Sequence, residues 1–413
     1  MIINGWLLKK YCLYFILLTA FLNADLRISA DSKISLFRLL LPFAVLLIAA
    51  CSMKILINFF LCLFVLGIVG LIQHYLTVSF FYATLPFDFL FFIEYYFHYS
   101  CILIIFFILL CLKKIEGVSF KRNFVSFSIF FLKSISIFIL VYTVVMGNPL
   151  KSISAENINN IGCMLVAGMS FLLVIGSKDK TQYIWCVLII FLLLANDCKA
   201  AFFGSLIEII IVFIIRYATV LRRRSSIFVI ILLVTFVLFG CFFIARDLII
   251  NGYPLMDLIF IPIQRVLNGE PFPTANTSIT YRTNSTIEAF GILSTTCGVG
   301  VGFGNTGRIL VELMGDTVYD TWLFNTAHSL HNWWLELMCD FGWGFIFIGI
   351  YVFLKEVYLF FSKNNWETEE LQILVFVLSF PVWSISASGL TTGYYTLSIL
   401  FFTLINFFNL QAS

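Results

Sequence analysis

Two of the four histidines of this chain fall in one short stretch, His328-Ser329-Leu330-His331-Asn332-Trp333-Trp334-Leu335-Glu336, with Asp340-Phe341-Gly342-Trp343-Gly344 shortly behind. Here a long polar connection enters an apolar segment. An imidazole titrates near neutral pH and can take a proton from an alcohol, so His331, with His328 as a second candidate, is suited to act as a general base at a membrane surface. Glu336 follows His331 by five positions, which turns it about 140° away on a regular helix. The two therefore do not stack as an i, i+4 pair would, although Glu336 could line the same cavity if the helix starts irregularly. The structural alternatives are a histidine that caps a helix beside an interfacial Trp333 and Trp334 belt, and a glutamate that faces another helix.

Such a junction has to be positioned by a membrane bundle. Hydrophobic residues make up 61% of the 413 positions and charged ones 11%, and apolar runs recur along nearly the whole length, beyond what a water-soluble core needs. A transmembrane helix takes about 20 mostly apolar residues. That yardstick predicts an all-α polytopic membrane protein with about 12 transmembrane helices. They fall at 6–23, 35–53, 55–76, 93–112, 126–147, 159–176, 182–196, 199–216, 225–245, 331–354, 371–388 and 391–409. The pairs 35–53/55–76 and 182–196/199–216 are joined tightly enough to be re-entrant or broken helices instead. With the N-terminus in the cytoplasm, 15 of the 25 Lys and Arg residues lie on the inner side, as the positive-inside rule favours. The first segment shows no small-residue cleavage pattern and reads as a retained span.

One connection differs from the rest. Between Arg246 and Ala327 the sequence carries Pro254, Pro262, Pro271 and Pro273 with many Gly, Asn and Thr, and it lacks a run long enough to cross a bilayer. The organisation expected is therefore an N-terminal bundle over 1–245, a large outer loop over 246–330 and C-terminal spans over 331–413. In that loop Arg246, Arg265, Arg282 and Arg308 face seven acids, so an anion would be held by individually placed arginines and not by a basic field. Nucleic acid is not an expected partner. The 11 cysteines fall mostly in apolar segments without paired spacing, and neither a disulfide nor a metal site is expected. Gly298-Val299-Gly300-Val301-Gly302-Phe303-Gly304-Asn305 lacks the Lys-Ser/Thr ending of a phosphate loop and reads as a flexible turn. Arg38 and Lys133 lie within or near spans, where charges are functional candidates by default. Lys133 and Glu208 could pair inside the bundle.

Taken in order, Arg282, Glu288-Ala289-Phe290, the Gly300-to-Asn305 turn, and His331-Asn332 with nine residues before Gly342 resemble the signature of the O-antigen ligase and polymerase superfamily. The resemblance runs from about Lys199 to Gly344. It implies a GT-C-like multi-span enzyme of the bacterial cytoplasmic membrane whose active site lies on the outer face. It implies undecaprenyl-pyrophosphate-linked glycans as donor and acceptor, no cofactor, and other membrane proteins of polysaccharide assembly as partners. Carried over by position, the family histidine falls on His331, its loop arginine on Arg282 and a second basic residue on Lys199. There the chain departs from the family, with Asp197-Cys198-Lys199-Ala200-Ala201 where a Ser-Arg-Gly-like run is usual, and again at Phe345, three positions after Gly342.

Physical chemistry points the same way. Transfer from a lipid pyrophosphate needs a base for the acceptor hydroxyl and cations for the charge that grows on the leaving group. His331 fits the first need. Arg282, with Lys199, Arg265 or Arg38, fits the second, and paired arginine hydrogen bonds to phosphate would let the reaction run without a metal. The function expected is polymerisation of lipid-linked repeat units into capsule, exopolysaccharide or O-antigen. The alternatives are ligase-type transfer of a finished glycan and a transporter or flippase of the same lipid, which would place charges along a central path between two halves.

Overall fold

The computed structural model describes residues 5–22, 35–83, 85, 87–146, 158–175, 179–196, 198–221, 277–314, 333–362, 368–384, 393–408 and 410. Their regular elements are helices, and no strand occurs among them. In chain order these are α1 (Gly5–Phe21), α2 (Leu36–Leu39), α3 (Leu41–Cys51), α4 (Met53–Leu76), α5 (Phe89–Glu116), α6 (Phe120–Met146), α7 (Ile158–Ile175), α8 (Thr181–Ala195), α9 (Lys199–Leu221), α10 (Thr277–Thr295), α11 (Asn305–Met314), α12 (Trp333–Phe341), α13 (Trp343–Ser362), α14 (Thr368–Trp383) and α15 (Tyr394–Phe407). The segment 225–245, expected as a span, lies outside the described residues.

Two stretches are long and apolar enough to cross a membrane by length and composition, Met53–Phe81 and Phe89–Val145. On α4 a lengthwise stripe is left uncovered by protein: Ile57, Leu61 and Phe64 are 58%, 57% and 64% exposed. Apolar groups in such a row at helical spacing need a non-aqueous neighbour. Helix α5 starts where the Asp88 carboxylate accepts the Phe91 N–H at 3.0 Å. It stops at Gly117, whose φ of 55° no longer continues the helix, with Lys113 and Lys114 beside its carbonyl end.

Two expected spans are broken. The segment 35–53 forms the four-residue α2 and the eleven-residue α3, because Pro42, in the first turn of α3, has no N–H to continue a helix that began earlier. The segment 331–354 breaks at Gly342, with φ of 77°. This leaves the nine-residue α12 and the twenty-residue α13. At 1.5 Å per residue α12 is about 13 Å long, too short to cross a hydrocarbon core of about 30 Å.

Packing forms two cores. The larger joins α1 to α9 and α13 to α15, and in it α7, α9 and α14 touch one another closely. A Cβ at Gly204 of α9 would collide with Trp383 of α14, the close approach that small residues allow between helices in membranes. The smaller core is built from Ala289, Ile292 and Leu293 of α10, Val301, Ile309 and Leu310 in and after the glycine turn, and Leu335, Met338 and Cys339 of α12. Part of the expected outer loop is therefore two helices that share this core with α12. Lys133 and Glu208 do not pair: Lys133 Nζ lies 5.1 Å from the Trp185 ring centre, and Glu208 accepts from Ser379 Oγ at 2.9 Å.

Candidate active site

The glycine turn is a bonded structure and not the flexible connection its composition suggested. Val301 N–H donates to Cys339 O at 2.8 Å, Gly302 N–H to Asp340 O at 3.0 Å, and Trp343 N–H to Gly298 O at 3.0 Å. The turn and the end of α12 thus run against each other backbone to backbone. Such contact requires residues without side chains at the crossing. Gly300 has φ of 88°, and a Cβ there would come 2.6 Å from Gly342 N and 2.7 Å from Asp340 O. A Cβ on Gly342 would strike the Gly298 and Val299 carbonyls.

Helices α4 and α5 hold the other side of the turn. Thr77 Oγ1 donates to Val301 O at 2.8 Å and Gln73 Nε2 to Val299 O at 3.1 Å. Asn305 Nδ2 donates to Val301 O at 2.8 Å and lies 2.7 Å from Nδ1 of the buried His74. The Arg308 guanidinium lies 5.0 Å from the Phe91 ring centre.

Asp340 sits at the centre of this arrangement and is buried. Its Oδ1 accepts from Thr306 Oγ1 at 2.6 Å, and its Oδ2 accepts from Gly304 N–H at 3.2 Å and Tyr99 OH at 3.3 Å. Burial pushes its carboxyl up to about 6, although the Thr306, Gly304 and Tyr99 hydrogen bonds pull it down.

The expected site residues distribute as follows. His331, His328 and Arg265 lie outside the described residues. Arg282 belongs to the first half of α10 and Lys199 opens α9. Glu336 is half-buried on α12. Arg38 is buried on α2. Glu94 and His98, and likewise Tyr95 and Tyr99, are i, i+4 pairs on α5. The rings of Tyr95 and His98 lie 6.0 Å apart.

His74, Asn305, Thr306, Asp340 and the α5 residues were not expected site members. A signal existed for Glu94 and His98, a titratable i, i+4 pair inside an apolar run. Among the described residues no group of three or more His, Cys, Asp or Glu converges as metal ligands would. Comparison of the chain with protein-family models, with curated proteins and with solved structures finds no match in any of the three.

Proposed function

We propose that the chain is a Wzy-type membrane glycosyltransferase that polymerises undecaprenyl-pyrophosphate-linked repeat units into a surface polysaccharide. In this reading about 12 spans cross the bacterial cytoplasmic membrane, and the site opens on the outer face. The observation that carries it is the joining of two separate pieces of the signature. The nine residues between Asn332 and Gly342 are helix α12 itself, and its Gly342 end is bonded into the Gly300-to-Asn305 turn. A fixed spacing that corresponds to one rigid helix between a candidate base and a backbone lock is what a positioned catalytic group requires.

The chemistry follows from the residues. The acceptor hydroxyl attacks the anomeric carbon of the donor glycan, and a new glycosidic C–O bond forms as the bond from that carbon to the pyrophosphate oxygen breaks. His331 takes the hydroxyl proton, and undecaprenyl pyrophosphate leaves with the bonding electrons. Arg282, with Lys199 and Arg265, holds the charge that grows on the pyrophosphate, so no metal is needed. Arg38 adds a further cation for the pyrophosphate, and Glu336 approaches the acceptor.

Polymer length on a gel, from cells carrying His331→Ala at unchanged membrane level, tests the reading. Loss of long chains with single repeat units retained is the expected result. Full-length polymer stranded on its carrier lipid would instead indicate a ligase, absence of any exported unit a flippase, and an unchanged ladder would exclude His331 as the base.

A further inference from the structure

Asp340 occupies a position that its own helix disfavours twice. It lies in the last turn of α12, where the helix dipole is negative, and four residues after Glu336, a like charge on the same face. A buried carboxylate survives there only because groups from elsewhere in the fold compensate it. Thr306 Oγ1 and Gly304 N–H come from the start of α11, whose first N–H groups have no partners within their helix. Asp340 thus caps α11 from another element, and Tyr99 ties the same carboxylate to α5. A local rule broken at one buried residue and repaired by three distant donors marks a functional position.

Resting on the polymerase reading, we propose that Asp340 is a positioning residue for the transfer, its carboxylate joining the glycine turn and α11 to the helix that leads from His331. Helix α12 is a single rigid rod of nine residues that begins two positions after His331. Its far end is held by Val301 N–H, Gly302 N–H and the Asp340 side chain, so the direction of α12 depends on that joint. A shift of about 1 Å at a reacting group costs on the order of 10²-fold in rate.

The titratable groups that face Asp340 are Tyr95 and Tyr99 from α5 and Glu336 and Cys339 from its own helix, while α11 offers it the uncharged Thr306. Because the Thr306 hydroxyl lowers the carboxyl that burial raises to about 6, its removal by Thr306→Val must move that titration upward. Thr306→Ser keeps the hydroxyl and the original titration.

The test uses full-length protein in lipid nanodiscs with a lipid-linked repeat unit as substrate. It records amide hydrogen exchange over 298–306 at fixed pH, and polymerisation rate against pH. In Asp340→Asn, exchange over 298–306 should quicken and the rate fall by about 100-fold. In Thr306→Val the acid limb of the rate profile should move to higher pH, with Thr306→Ser unchanged. Unaltered exchange in Asp340→Asn overturns the joint. Faster exchange with an unaltered rate and acid limb overturns the positioning role. If exchange responds but the wild-type protein forms no polymer, the polymerase reading falls and the positioning role with it, while the joint itself stands.

Discussion

In the bundle core Phe124 stacks on Phe402 at 4.5 Å between centres and Phe131 meets Tyr395 at 5.0 Å. Other apolar side chains of similar volume could replace such contacts with modest loss. In the turn unit the same task falls to the N–H groups of Val301, Gly302 and Trp343, each aimed at one carbonyl, and to one carboxylate with three donors. Neither has a substitute of different shape. The bundle specifies volume and the turn unit specifies atoms. The two regions should therefore answer differently to matched substitutions.

Glycines with positive φ make the largest contrast. Gly117 in the bundle (φ 55°) has nothing within 4 Å of an added Cβ, so Gly117→Ala meets backbone strain alone, about 1–3 kcal/mol. Gly342 (φ 77°) meets that strain and a collision with two backbone carbonyls. Gly342→Ala should cost more than about 4 kcal/mol and lower the membrane level of the protein. Thermal midpoints of the two purified variants in detergent rank them, and equal shifts would mean that the turn yields freely and the contrast is wrong.

The same contrast governs what was legible in the sequence. Run length located α1 and α4 within two residues of their ends, since an apolar helix is recorded in every residue it contains. It cut α5 and α6 short: 93–112 is Phe89–Glu116 and 126–147 begins at Phe120. Lys113, Lys114, Lys121 and Arg122 interrupt hydropathy but not backbone hydrogen bonding. Pro42 and Gly342 split two expected spans, because one residue decides a break that a window of about 20 averages away. Glycines 298 to 304 were read as freedom when each supplies a conformation that a tight crossing demands. Asp340 stood inside the stretch first singled out, yet had no assigned role, for its partners Thr306, Gly304 and Tyr99 lie 34, 36 and 241 positions away.

Two buried carboxyls sharpen the comparison at intermediate size. Among the described residues Glu208 in the bundle accepts from Ser379 alone, and its second oxygen has no hydrogen bond. Asp340 is surrounded by donors. An amide at position 340 must turn its NH2 toward one of them, so Asp340→Asn should cost about 2–3 kcal/mol. Glu208→Gln removes a poorly satisfied group and should stay within about 1 kcal/mol of the parent. Comparable losses in both variants, measured as thermal midpoints, would mean that burial alone governs these carboxyls and that the donor set around Asp340 adds nothing.

The smallest contrast is between two buried hydroxyls. Ser136 of α6 returns its proton to Leu132 O at 2.7 Å, one turn back in its own helix, a bond that competes with the backbone ladder and adds little. Ser136→Ala should leave the midpoint unchanged. Thr77 spends its proton on Val301 O at 2.8 Å, across 224 positions of sequence, and Thr77→Val keeps the shape while removing the donor. Asn305 Nδ2 still bonds that carbonyl, so the loss should be about 0.5–1 kcal/mol and not the full cost of an orphaned acceptor. In Thr77→Val/Asn305→Ala the carbonyl loses both side-chain donors, and the combined loss should exceed the sum of the single ones. Simple additivity would mean that each donor acts alone, and that the turn is held by packing as the bundle is.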